Sequence, residues 1–231
     1  MLKQHIANNL YRAFQKVVNT SYKYQLPVWS TSRPFAYYRY VFFNNASEAQ
    51  VLQQLRGKTI VDLGCGTTPY LADSMFQECR AAGIDFYGVD PIIKPDITFR
   101  KRYRVMSKLA GGSTNFQANA SGLEKALSTL ANDLPFKDGE IDLALSCWLM
   151  FVWLNDEDIL ASVFDELYRV LKQGGTAIFY PMPEKSFINV SSPRLKKAMS
   201  RFDISQYHNR TNITLRVTPS FTTIFTRKSF L

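Results

Sequence analysis

Asp62, Gly64, Gly66 and Asp90 have the types and spacing to hold a cofactor that carries a nucleotide. In Thr-Ile-Val-Asp-Leu-Gly-Cys-Gly-Thr-Thr-Pro-Tyr (59–70), a β-branched run ends in Asp62, and Gly64 and Gly66 bracket a tight turn. Such a turn lets a ligand lie against bare backbone, and a helix starting near Pro69 would point its N-terminus at the same place. Further on, Phe86-Tyr87-Gly88-Val89 reads as a second strand that ends at Asp90. A carboxylate there offers two acceptor oxygens to the two hydroxyls of a ribose.

The elements that must position these residues follow from periodicity. Leu71, Met75 and Cys79 share one face of a helix that starts near Pro69 and stops at Gly83. Ser47 and Gln50 form a capping box for a helix ahead of the glycine turn. Leu134-Pro135-Phe136 begins a turn that leads into a buried strand ending at Ser146. A helix capped by Asn155 carries Leu160, Val163, Phe164, Leu167 and Leu171 and closes at Gly174-Gly175, before a strand over 176–180. The alternation of strands and helices implies a doubly wound α/β sheet with the ligand at its carboxyl edge. A dinucleotide fingerprint is disfavoured, because its third glycine is replaced by Pro69. A triphosphate-binding loop is disfavoured too, since the lysine and hydroxyl pair it needs is missing.

Val-Asp-Leu-Gly-Cys-Gly-Thr (61–67) resembles motif I of the class I S-adenosylmethionine-dependent methyltransferases with a type 11-like core. Leu134–Ser146 is similar to that family's L-P-F-x-D-x-x-F-D-x-V-x-S stretch, and Arg169–Gly175 to its R-V-L-K-x-G-G signature. The likeness runs in order from residue 48 to about 185. It implies a Rossmann-like, seven-stranded, mostly parallel sheet of order 3-2-1-4-5-7-6 with an N-terminal helical extension. The last strands are expected near 204–217 and 221–228, after a helix around 194–201. It also implies S-adenosylmethionine as cofactor, held by Asp62, Gly64, Cys65 and Gly66, with Asp90 and Pro91 at the ribose. Ser146, Cys147 and Trp148 should line the mouth after the fourth strand, with Cys147 as a wall. One of Tyr37, Tyr38 and Tyr40, Tyr38 foremost, should approach the cofactor. A tyrosine-rich segment followed by a short helix and Gly-Cys-Gly-Thr-Thr-Pro-Tyr is also similar to the small-molecule amine N-methyltransferases.

The chain departs from the family at the adenine side. Alignment on Leu134-Pro135-Phe136 puts Leu130 where an acid is usual. The alternative is a third strand over 115–120 followed by an inserted helix over 121–131, which would give the adenine to Asn119, an amide able both to accept and to donate.

Charge divides unevenly. Lys3, Arg12, Lys16, Lys23, Arg33 and Arg39 lie in an acid-free stretch over 1–47, and Arg210, Arg216, Arg227 and Lys228 in another over 204–231; together they outweigh the formal total of +9. Basicity therefore lies at the ends. The expected organisation is a basic, aromatic helical cap over 1–46 and a cofactor-binding domain over 47–231. Within the cap, Ile6, Leu10, Phe14 and Val17 mark an amphipathic helix over 2–20, open to three readings: a packed cap, an anchor on an anionic membrane, or an import signal. Arg100–Arg104 reads as a solvated crossover, with an anion or nucleic-acid role as the alternative. Three dispersed cysteines give neither a disulfide framework nor a metal spacing, and no apolar run reaches a membrane span, so a cytoplasmic enzyme without metal is expected.

Methyl transfer from a sulfonium needs alignment more than acid–base chemistry, so no catalytic side chain is assigned; Asp203 and His208 are the available bases. The expected function is methylation of a small-molecule acceptor, lipid-like or anionic. The alternatives are RNA methylation and a non-catalytic partner subunit.

Overall fold

A computed structural model of the chain describes residues 32–93, 115–116, 122–182, 190–209 and 221–229. Two short helices, α1 (Phe35–Phe42) and α2 (Glu48–Leu55), lead into β1 (Thr59–Leu63). After the glycine turn come a 3₁₀ turn (Thr68–Tyr70), α3 (Met75–Ala81) and β2 (Asp85–Val89), then a second 3₁₀ turn (Leu123–Lys125) and β3 (Ala126–Leu127). The chain continues through β4 (Ile141–Cys147), α4 (Glu157–Val170), β5 (Leu171–Met182), α5 (Pro193–Met199), β6 (Phe202–His208) and β7 (Phe221–Arg227). The strands form one seven-stranded sheet of order β3-β2-β1-β4-β5-β7-β6, as the resemblance implied. The first five are parallel, and β7 runs antiparallel to β5 and β6. Both faces are covered, which is why β1 and β4 are almost continuously buried.

On one face, Phe164 of α4 packs against Phe179, Phe202 and Phe225. On the other, Tyr38, Val41, Val51, Met75 and Phe76 from α1, α2 and α3 cover Ile60 and Leu145. Arg169, in the last turn of α4, fastens the approach to β4. It donates to the carbonyls of Leu134 (3.0 Å) and Phe136 (2.7 Å) and to Glu166, while its own carbonyl accepts from Gly139 N–H at 2.9 Å.

The capping box of α2 is present: Ser47 Oγ accepts from Gln50 N–H, and Gln50 Oε1 accepts from Ser47 N–H. Several boundaries are corrected. The helix expected from Pro69 starts only at Met75, capped by Ser74, whose Oγ accepts from Gln77 N–H at 3.2 Å. Leu71 is drawn instead into an antiparallel bridge with Phe116, and Ala72 N–H donates to Asn115. That bridge lies outside the sheet, so the third strand is not 115–120. It is Ala126–Leu127, paired with Gly88 and Val89, and in place of an inserted helix residues 122–131 carry only the 3₁₀ turn Leu123–Lys125 ahead of that strand. Leu130 follows β3 and is 54% exposed. Asp156, not Asn155, caps α4, its Oδ1 accepting from both Asp158 and Ile159. That helix ends at Val170 rather than at the glycines, since Leu171 already pairs with Ile141; Gly174 (φ +71°) sits in the irregularity that follows. β6 spans 202–208 where a strand over 204–217 was expected. The expected helix over 2–20, the basic run 100–104 and Asn119 lie outside the described residues.

Candidate functional site

Topology brings the carboxyl ends of β1, β2 and β4 together where the strand order reverses, the position at which open α/β sheets bind ligands. Gly64 (φ +69°) and Gly66 (φ +57°) hold the left-handed backbone that the turn after β1 requires. Gly64 N–H and Cys65 N–H both donate to Val89 O, fixing the turn to the end of β2. Gly88 in β2 has no side chain, so Cys65 Sγ and Pro69 pack against its α-carbon.

Asp62 is 1% exposed, and Tyr38 of α1 donates its hydroxyl to Asp62 Oδ2 at 2.6 Å. Asp62 Oδ1 is buried without a hydrogen-bond partner, as is Thr67 Oγ1 on the far side of the turn. Burial pushes the Asp62 carboxyl up to about 7; the Tyr38 bond opposes this and the neighbouring Asp90 adds to it. Asp90 accepts from Gly66 N–H through Oδ2 and from Ile92 N–H through Oδ1, both at 3.0 Å. Each oxygen retains a second lone pair, and burial holds this carboxyl above its ordinary range despite the two bonds. Pro91 is exposed beside it, its carbonyl accepting from Ser128 Oγ at 3.4 Å.

Not every expected residue offers its side chain to a ligand. Ser146 is fully buried and turns its hydroxyl to Leu63 O at 3.2 Å, tying β4 to β1. Gly64 faces Leu149: a methyl placed on Gly64 would lie 2.8 Å from Leu149 Cδ2. Asp203 and His208 sit exposed on the edge strand β6, where Asp203 pairs with Lys228 and His208 packs its ring on Phe221. Neither is brought to the glycine turn.

The wall on the β4 and β5 side was only partly foreseen. Trp148 follows β4 with φ +67°, a backbone region that strains a bulky side chain. It is held there by its N–H to Tyr180 O (2.6 Å) and its Nε1–H to Tyr37 Oη (2.8 Å). Tyr37 meets Tyr180 edge-on, and the Arg33 guanidinium lies over Tyr37, 5.0 Å from the ring centroid. Arg33 and Leu149 carry no motif in the sequence; the nearest signal is the density of aromatics and arginine over 29–43. Among the described residues, no group of three or more metal-ligating side chains gathers as a metal site.

A methyltransferase-domain family model matches residues 61–179. Solved structures of similar fold include geranyl diphosphate C-methyltransferase from Streptomyces coelicolor A3(2), 18% identical over 79% of this chain and 78% of that one, TM-score 0.41. A possible histamine N-methyltransferase from Thermotoga maritima is 19% identical over 95% and 99% of the two chains, TM-score 0.41. An S-adenosylmethionine-dependent methyltransferase from Methanosarcina mazei is 14% identical over 78% and 98%, TM-score 0.44. No curated protein matches the chain.

Proposed function

The chain belongs to the methyltransferase-domain family, whose methyl donor is S-adenosylmethionine, and we propose that it methylates a small molecule held at the carboxyl ends of β4 and β5. The observation that carries the cofactor assignment is the buried Asp62 carboxyl, with one oxygen fixed by Tyr38 and the other unpartnered at the glycine turn. With its value pushed up to about 7 the carboxyl is only partly ionised at neutral pH, and a cationic group placed beside it, such as the ammonium of the donor's amino-acid end, favours the charged form.

The bound donor supplies a methyl group on a positively charged sulfur. Asp62 would orient its ammonium, with Tyr38 fixing the rotamer of the carboxyl. Asp90 would take the ribose hydroxyls on its remaining lone pairs, while its bond to Gly66 keeps the turn in shape. Thr67 Oγ1 is a further buried polar atom available at the turn. Tyr37, Trp148 and Tyr180 would exclude water on the acceptor side. Aligning donor and acceptor within such walls can supply roughly 7–11 kcal/mol of the barrier, so a dedicated protein base is not required.

Residues 1–46 act in this reading as a cap on the domain formed by 47–231, supported by the reach of α1 to Asp62. A small acceptor is favoured over RNA because the described cations of the two basic ends are buried or bonded within the protein rather than gathered on an open basic surface. Arg33 is buried, Arg39 donates to Ala46 O, Arg227 donates to Leu171 O and stacks on Tyr168, and Lys228 donates to Ser200 O.

Calorimetric titration with S-adenosylmethionine and S-adenosylhomocysteine tests the reading. Micromolar binding of both is expected, with at least a tenfold loss in Asp90→Ala. Absence of binding to the wild-type protein would overturn it.

A further inference from the structure

We propose that Arg33 is the acceptor-recognising residue of this enzyme, and that the acceptor carries a small anionic group, a carboxylate or a phosphate. The inference rests on the function proposed above. It concerns the half of the site that the cofactor does not use.

Arg33 is only 7% exposed. Its backbone N–H donates to Thr68 Oγ1 at 3.4 Å, so its position is tied to the cofactor turn. Pro34 (φ −69°) then opens α1, whose next two turns carry Tyr37 and Tyr38. The Arg33 guanidinium carbon lies 5.0 Å from the centroid of Tyr37 and 6.0 Å from that of Trp148. Those two rings are themselves joined by the Trp148 Nε1–H to Tyr37 Oη bond, and Trp148 is anchored to β5 through Tyr180 O. One buried cation is therefore set among aromatic side chains at the ends of β4 and β5, beside Cys147, whose thiol burial pushes well up while the Arg33 charge opposes that rise.

Ring faces attract a guanidinium through its positive face, while its five N–H donors lie around its planar rim. That rim suits bidentate bonding to a carboxylate or phosphate, and it can serve a ligand in addition to acceptors within the protein. The strained Trp148 backbone supports the same reading, since a bulky residue held at positive φ marks a place where position outweighs local comfort.

The signs of charge divide across the β1–β4 junction. Asp62 and Asp90 lie at the ends of β1 and β2, where the cationic donor belongs, and Arg33 stacks on the β4 and β5 side. A cationic amine would be repelled from the acceptor half; an anion would be drawn to it, with its reacting atom directed back toward the glycine turn.

The test is calorimetric binding of benzoate, phenyl phosphate, benzamide and benzylamine to the full chain saturated with S-adenosylhomocysteine. Benzoate or phenyl phosphate is expected to bind at least tenfold more tightly than benzamide, with benzylamine the weakest, and the preferred anion identifies the group. Arg33→Gln should erase that preference while leaving S-adenosylhomocysteine affinity within threefold of wild type; Arg33→Lys should restore part of it. If S-adenosylhomocysteine fails to bind the wild-type chain, the parent function falls and this assignment with it. If it binds but the anions show no advantage over benzamide, or Arg33→Gln keeps their advantage, the assignment to Arg33 is wrong and the methyltransferase reading stands.

Discussion

Asp62 keeps its proton close to neutrality because both its oxygens are out of water and only one is hydrogen-bonded. Its carboxyl is raised from 3.8 to about 7 in the folded chain, and each unit of such a rise represents about 1.4 kcal/mol. The sign follows from linkage. A folded-state value above the unfolded one contributes stability below about pH 4, and that contribution is lost as pH climbs through 7. The cofactor-free wild type should therefore lose melting temperature between pH 4 and 7 relative to Asp62→Asn, which cannot ionise there. Parallel pH dependences in thermal unfolding of the two proteins would mean that Asp62 titrates like an exposed acid.

Gly64 links two elements, the turn after β1 and the connection from β4 to α4. Its φ of +69° and its contact with Leu149 act together, so Gly64→Ala meets both a left-handed backbone and an occupied space. A destabilisation of roughly 1–3 kcal/mol is expected from the overlap, with a further increment from the backbone. Because Leu149 Cβ itself lies 2.9 Å from the added methyl, Leu149→Gly is the partner variant that should recover the overlap and leave the backbone increment, as read from urea unfolding of the four proteins in the cycle. No recovery would exclude Leu149 as the contact. At this scale the sequence was legible where periodicity is long. The glycine turn, β2, β4 and α4 follow from glycine spacing, apolar runs and helical spacing, whereas the strand order was implied by the family resemblance. It was not legible where one hydrogen bond decides a boundary: Ser74 Oγ opens α3 one turn and more beyond Pro69, and Asp156 caps α4 in place of its neighbour Asn155, a residue of similar capping chemistry. β3 was missed because two residues have no period. In the candidate site, Asp62 and Asp90 could be picked out from the sequence because they stand at or next to strand ends, whereas the proposed role of Arg33 could not, since it meets Trp148 only because α1 folds over the end of β4.

The whole molecule is held by two apolar layers on one sheet, and Phe164 is the centre of the larger. It meets Phe151, Phe179, Phe202 and Phe225 with centroids 5.0–6.1 Å apart, joining α4 to the strands on which the closing hairpin is built. Phe164→Ala should cost about 3–5 kcal/mol, seen as a lowered denaturation midpoint. A loss under about 1 kcal/mol would mean that this layer repacks freely. The fastening made by Arg169 has a consequence of another kind. The two stretches by which such a chain is spotted, one opening with Leu134-Pro135-Phe136 and the other with Arg169, are far apart in sequence but meet in the fold. They are the two sides of one joint, hydrogen-bonded to each other through Leu134, Phe136 and Gly139. The grip is one-sided in chemistry: the Arg169 guanidinium closes on backbone carbonyls that any residue at 134 or 136 would supply, so the joint holds the arginine to its type more strictly than the residues it fastens.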